Sequence, residues 1–385
     1  MKPLSRMAQV LRPSGIRQMM ERARRLPDVI HLEVGEPDGN TPEHIIQAAA
    51  DAARAGFTKY TPSAGLPSLR EALAKRLTAQ IGRPTVPEQV IVTSGSSFGV
   101  AAALFATVDP DDEVLVPDPG WPIYVSIARF IGAHVVHYPL VRETGYQPDF
   151  DRLHRLVTSR TKAIIVNSPS NPTGAVFPRE VTSALAAFAS HYDLYAISDE
   201  VYEEFVFEGE HVPLATFDGD GRVISIHGFS KAYAMTGWRL GYVRAASAIV
   251  ETMERLAEPL LACPPSVSQK AGEAALAAGR ADVERMREAY RHRRDAVVEI
   301  LGTEGLLASM PRGAFYALVD LSRVEADSVV LAGRLLDEQR VATAPGEAFG
   351  PSAAGCVRIS FAAEQHLVEE GCRRIVQFAA RRVRV

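Results

Sequence analysis

The strongest constraint on this chain lies between Gln89 and Val243. Short runs rich in β-branched and apolar residues recur there: Val90–Thr93, Glu113–Val116, His134–Tyr138, Ala163–Asn167, Leu194–Ser198, Val223–His227 and Leu240–Val243. The stretches between them carry helical spacing, as in Thr182–Ala189. Runs that are mostly apolar and alternate with helices need cover on both faces. They predict an α/β fold with a buried, mostly parallel sheet flanked by helices. Helical pattern also occupies Ile16–Leu26, Pro42–Ala55 and Leu66–Ile81, with an extended piece at Val29–Val34. From about Gln269 onward helices dominate, with strand-like pieces near Ala314–Val319 and Cys356–Phe361, as suits a smaller α+β domain. The expected division is a large domain over residues 45–265 and a small domain built from residues 1–44 and 266–385.

Composition narrows the classes further. A chain of 385 residues with 47% hydrophobic and 23% charged residues can bury a large core. Its net charge of −4 gives no electrostatic reason to expect nucleic acid or an anionic membrane. The cysteines, Cys263, Cys356 and Cys372, are few and odd in number and form no C-x-x-C pair, so neither a disulfide framework nor a metal site is expected. A reducing cytoplasm fits that usage. No run is long enough to span a bilayer, and the arginine-bearing N-terminus does not read as a signal peptide. Near the other end, Arg373, Arg374, Arg381, Arg382 and Arg384 interleave with Ile375, Val376, Phe378 and Val383, as on the solvated face of a last helix.

In open α/β sheets ligands collect at the carboxyl ends of strands. Several chemically apt residues fall there. Lys231 follows the run Val223–His227 within Gly228-Phe229-Ser230-Lys231, where its amine can reach a cleft and attack a carbonyl. Arg239 lies eight residues on and offers a planar fork to a phosphate. Asp199 ends another apolar run in Ile197-Ser198-Asp199-Glu200-Val201-Tyr202, and a buried carboxylate there needs a cationic partner. Asn171 sits in the proline-stiffened turn Asn167-Ser168-Pro169-Ser170-Asn171-Pro172. Gly95, Ser96 and Ser97 join a strand to a helix, where backbone amides and hydroxyls make an anion site. Trp121 is presented on the loop Pro117-Asp118-Pro119-Gly120-Trp121-Pro122, placed to stack on a flat ligand. Each motif alone also has an ordinary structural reading, such as a solvated loop lysine, a helix-capping aspartate or a core tryptophan.

Together, in this order and spacing, the motifs resemble the class I/II aminotransferases, the fold-type I pyridoxal-phosphate enzymes. The likeness starts at Pro13-Ser14-Gly15-Ile16-Arg17 and Val34-Gly35-Glu36-Pro37-Asp38 and passes through Tyr60-Thr61-Pro62-Ser63-Ala64-Gly65. It ends with Pro311–Tyr316, Pro345–Gly350 and Arg358-Ile359-Ser360-Phe361. The resemblance implies that Lys231 carries pyridoxal 5'-phosphate as a Schiff base and serves as general base. It pairs Asp199 with the pyridine nitrogen, Tyr202 and Asn171 with the phenolic oxygen, and Trp121 with the ring face. Gly95, Ser96, Ser97, Ser230 and Arg239 would surround the phosphate. Arg358 would grip the substrate α-carboxylate, with Asn171 and the backbone of Gly35. Tyr60 would reach the phosphate of a neighbouring subunit in a homodimer with shared sites. The implied activity is transfer of an α-amino group from an L-amino acid to a 2-oxo acid.

Two departures stand out. Gly228 occupies a place where the family often has a phosphate-binding serine. Ser97 stands where many relatives, including some that use aspartate, carry lysine, which argues against an acidic substrate side chain. The same constellation would serve β-elimination, cyclisation or oxidation of an amino acid. A nicotinamide dehydrogenase is disfavoured because no G-x-G-x-x-G follows a strand. A ligand-sensing regulator would need a DNA-binding module ahead of the fold, and the family-like pattern already starts by Pro13.

Overall fold

The computed structural model describes residues 2–5, 9, 11 and 14–381. Pro13, Arg382, Val383 and Arg384, to which the sequence reading assigned places, lie outside the described residues. The N-terminal part contributes one short strand, β1 (Ile30–His31). The central sheet follows as β2 (Val90–Thr93), β3 (Glu113–Asp118), β4 (His134–Val141), β5 (Gln147–Pro148), β6 (Thr161–Asn167), β7 (Tyr195–Asp199), β8 (Val223–Gly228) and β9 (Gly241–Arg244). Its spatial order is β2-β9-β8-β7-β6-β3-β4-β5. Strands β4, β3, β6, β7 and β8 pair in parallel, while β9 runs antiparallel to both β2 and β8, and β5 antiparallel to β4. The sheet is therefore mostly parallel, as the apolar runs predict.

The mechanism of burial is visible along single strands. Successive side chains point to opposite faces. Val114 and Val116 enter one core with Ile165, Ile197 and Ile224, whereas Leu115 enters the other with Ile164, Val166 and Ala196. Both faces are dry, so β-branched residues gain at every position, and the runs read as continuous rather than alternating.

A third core lies beyond the sheet. Strands β10 (Tyr316–Asp320), β11 (Val341–Ala342) and β13 (Cys356–Ser360) contribute to it, and β12 (Ala344–Pro345) pairs beside them. Strand β13 sits between β10 and β12, antiparallel to each. The N-terminal segment docks here: β1 pairs in parallel with β11, and Leu32 accepts a backbone hydrogen bond from Ser360 N at 2.7 Å. Of the extended piece Val29–Val34, only Ile30 and His31 pair as a strand. The last helix, Gln365–Ala380, packs Ile375 and Phe378 into this core and turns Arg373 and Arg374 outward to Glu369 and Glu370.

Leu32 is fully buried beside Gly371 of that helix, where an added Cβ would meet Leu32 Cδ1 at 2.7 Å. Leu32→Ala is expected to lower unfolding free energy by about 2–5 kcal/mol, as for other buried leucines. Chemical denaturation checks this. A loss under about 1 kcal/mol would mean that the N-terminal segment is not part of the packed core.

Candidate active site

The carboxyl ends of β3, β6, β7 and β8 share one edge of the sheet, and β2 ends at the same edge. The loops leaving those ends therefore converge. They bring Ser96, Ser97, Trp121, Asn171, Asp199, Tyr202, Ser230, Lys231 and Arg239 to the wall of one cleft of about 270 Å³. The opposite wall is made by Gly35, Tyr316 and Arg358, with Ile16, Met20 and Val34. Eleven residues singled out in the sequence line this cleft: those nine with Gly35 and Arg358. Gly95 adjoins it, and Tyr60 does not line it: the residue is 88% exposed.

Lys231 lies in the short helix after β8, and its Nζ donates to Gly35 O at 2.6 Å. Burial is the main influence on this amine and lowers its pKa to about 8, reinforced by Arg358 and Arg239 and opposed by Glu36 and Asp199. Asp199 closes β7 and is fully buried. Its Oδ2 accepts from Tyr124 Oη at 2.6 Å and its Oδ1 from Val201 N at 3.3 Å. Burial raises this carboxyl to about 6 even though both hydrogen bonds favour its ionised form. Asn167, one register position across on β6, donates to Asp199 O at 3.0 Å and accepts from Asn171 N at 2.9 Å, which fixes the proline turn against the strand. Tyr202 Oη and Tyr316 Oη share a hydrogen bond of 2.9 Å.

Arg358 projects from β13 and is buried. It donates to Glu33 O and, at 3.4 Å, to Asn171 Oδ1, and it lies over the Tyr316 ring with 4.5 Å to the centroid. Its Nε has no hydrogen-bond partner among the described residues. Burial lowers its pKa, against which Tyr316, Tyr202 and Glu33 act. A buried guanidinium with donors to spare is ready for a carboxylate.

The residues also fit the cofactor that the motifs imply. Ser96 and Ser97 open the helix Ser96–Thr107, whose first amides face the cleft end of β2. Gly95 there has φ +82°, and a Cβ on it would collide with the Arg239 guanidinium. A Cβ on Gly241 would meet Ser96 N at 2.8 Å. Both places therefore require glycine, and both bring backbone or guanidinium donors together for an anion. Arg239 itself holds φ 52°, a left-handed conformation costing about 1–2 kcal/mol for a residue with a side chain. At Gly228 an added Cβ would stand 3.7 Å from Ser96 Cβ, so a serine hydroxyl here would have lain beside that of Ser96. Asp199 has a phenol and an amide as partners and no cation at hydrogen-bond distance. A carboxylate so placed suits a protonated ring nitrogen.

Tyr124 and Tyr316 were not foreseen as site residues. Tyr124 follows Trp121 by three positions in the helix Pro122–Phe130, so one helical turn carries both, and that spacing was the available signal. Tyr316 belongs to the segment Pro311–Tyr316 already noted for its likeness.

The family description "Aminotransferase class I and II" matches residues 27–375. The chain belongs to this family. Class I and II aminotransferases depend on pyridoxal phosphate, and this chain is accordingly a pyridoxal-phosphate-dependent enzyme that exchanges an amino group between amino acids and 2-oxo acids. It is 42% identical to an aspartate/prephenate aminotransferase of Thermus thermophilus, over 99% of this chain and 100% of that protein. It is 39% identical to an arginine–pyruvate transaminase of Pseudomonas aeruginosa, over 92% and 90%. Among solved structures, an aspartate aminotransferase from Thermus thermophilus with maleate superposes with a TM-score of 0.94 at 41% identity, covering 98% of this chain and 100% of the other. No helix among the described residues is long and apolar enough to cross a membrane.

An amine must be neutral to attack an aldehyde, the step that the sequence resemblance implies for Lys231. With a pKa lowered to about 8, the neutral fraction grows as pH rises through that value. Capture of pyridoxal phosphate by the cofactor-free protein should therefore accelerate with a midpoint near pH 8 and then level off. Stopped-flow absorbance measures it. A rise that continues toward pH 10 would show that the amine is not depressed.

Proposed function

We propose that Lys231 anchors pyridoxal phosphate and handles the substrate proton, in an enzyme whose preferred amino donor has an uncharged side chain. The observation that carries the first part is the buried, depressed Lys231 amine between Asp199 and Arg358 in one cleft. Bound there, pyridoxal phosphate supplies an aldehyde that condenses with amines and a ring that accepts electrons when its nitrogen is protonated.

The chain's own residues do the rest. Arg358, steadied by Glu33 O and Asn171, binds the substrate α-carboxylate and so orients the α-carbon. Lys231, neutral above about pH 8 and hydrogen-bonded to Gly35 O, accepts the α-proton as general base and returns it. Asp199 provides the fixed negative charge for the ring nitrogen. Tyr202 and Asn171 would hold the phenolic oxygen, and Trp121 would cover the ring and exclude water. Gly95, Ser96, Ser97, Ser230 and Arg239 hold the phosphate.

The preference for an uncharged side chain rests on Ser97. The cleft cations Lys231, Arg239 and Arg358 each have a task in this reading, and Ile16, Met20 and Val34 give the lining an apolar part. A panel of amino donors with 2-oxoglutarate tests it. Aspartate emerging as the best donor would overturn it. Transamination is distinguished in the same assay from elimination, which would release ammonia.

The working unit in this reading is a homodimer in the cytoplasm, with residues 45–265 forming the large domain and 1–44 with 266–385 the small one. Tyr60 supports the dimer: a residue 88% exposed, on a segment whose Thr61 N reaches Cys263 Sγ at 3.4 Å, is free to cross to a partner's phosphate. A two-fold axis makes the exchange reciprocal.

Arg358→Ala should raise KM for every amino acid tested, by on the order of 10²-fold for loss of a charged bidentate contact. A loss confined to acidic substrates would place Arg358 at the side-chain pocket instead. Mixing inactive Lys231→Ala with an impaired Tyr60→Phe protein under verified subunit exchange should restore activity above either parent. Hybrids that recover nothing would assign Tyr60 to its own subunit.

A further inference from the structure

Asp199 is a buried carboxylate on which the proposed chemistry turns, and its surroundings contain a group that none of the motifs supplies. Tyr124 is fully buried, and its hydroxyl ends 2.6 Å from Asp199 Oδ2. The other carboxylate oxygen accepts from Val201 N at 3.3 Å. Each oxygen thus has one protein donor, and the carboxylate plane is fixed from two sides. The Tyr124 ring meets Trp121 edge to face, with centroids 5.6 Å apart and an interplanar angle of 88°. Both come from the start of one helix, where Pro122 sets the first turn.

We infer that Tyr124 is a positioning residue for the cofactor's ring nitrogen, acting through Asp199. The inference rests on the assignment of Asp199 to that nitrogen. The physical case has two parts. A phenol O–H pointing at a carboxylate favours its ionised form, and Asp199 needs that help because burial works against its charge. The remaining charged neighbours do not provide it at hydrogen-bond distance. His227 acts on Asp199 from β8 through space and favours its charge, and Glu200 opposes it. His227 Nδ1 is already bonded to Glu203 at 3.1 Å, and Glu200 to His211 at 2.9 Å. The Tyr202 hydroxyl is engaged with Tyr316. Among the described side chains, Tyr124 is therefore the one hydrogen-bond donor to this carboxylate. It also couples two duties: the helical turn that presents Trp121 to the ring face holds the counter-ion of the ring edge.

The test compares two ligands on cofactor-free protein: pyridoxal phosphate, and an analogue with carbon in place of the ring nitrogen. Tyr124→Phe keeps the ring and removes the donor. It should bind pyridoxal phosphate about tenfold more weakly, the worth of one hydrogen bond to a charged group, and the analogue as tightly as wild type does. Equal weakening of both ligands would make Tyr124 a packing residue, and no change in either would leave Asp199 independent of it. Either result overturns the inference. Asp199→Asn is measured alongside. If it does not separate the two ligands, the assignment of Asp199 to the nitrogen is at fault. If it separates them and Tyr124→Phe does not, only the role of Tyr124 falls. Should Tyr124→Phe fail to fold, difluorotyrosine placed at position 124 offers a stronger donor in the same volume. It should tighten pyridoxal phosphate alone, and tightening of both ligands or of neither would count against the inference.

Discussion

A carboxylate held in a dry sheet without a cation is costly, and the design of this enzyme starts from that cost. Raising Asp199 from 3.8 to about 6 corresponds to roughly 3 kcal/mol against its charged form. Its folded pKa lies above the unfolded one, so the cofactor-free protein loses stability as pH rises from about 4 to about 6, where the unfolded chain has released the proton first. A protonated ring nitrogen brought against Asp199 would reverse the term. The same dryness acts in the opposite direction on Lys231 and leaves its amine closer to neutrality than an exposed lysine. Apolar burial on both faces of the sheet is therefore the source of reactivity as well as of stability.

The second requirement is that the two halves of the cleft stay in register. The segment from Leu32 to Gly35 does this with its backbone. Leu32 O receives Ser360 N, Glu33 O receives the Arg358 guanidinium, and Gly35 O receives Lys231 Nζ. One extended stretch thus touches both Arg358 and Lys231, the groups proposed to bind the carboxylate and to move the proton. At Gly35 a side chain would collide with the Tyr316 hydroxyl, so the approach depends on glycine.

Much of this could be read from residues alone. The seven apolar runs all became strands, because a run bounded by turn residues and too short for a helix has few other ways to bury itself. Their direction was not legible. An apolar run carries no arrow, so the antiparallel β9 emerged only when its pairing with Gly228 and Thr93 was seen. The two-residue β5 has too few positions to show any period. At the site, residues at strand ends were found by placement. Tyr124 and Tyr316 were not, since a tyrosine within a helix or strand of apolar neighbours has the pattern of a core residue, and its hydroxyl gains meaning only from what lies across the fold. Glu33 lines the cleft as well, and its carbonyl, which any residue would supply, is what meets Arg358.

The glycines at the anion cradle separate anchoring from selecting. Gly95 and Gly241 bring main-chain atoms and the Arg239 fork into contact with the helix start, and the helix amides belong to the main chain. Amides are the same whatever the side chain, so the main-chain part of the proposed phosphate cradle depends on these two glycines rather than on the side chains of the helix. The apolar part of the cleft lining, by contrast, consists of exchangeable side chains such as Ile16, Met20 and Val34. Drift can then retune that lining while the cofactor stays in place.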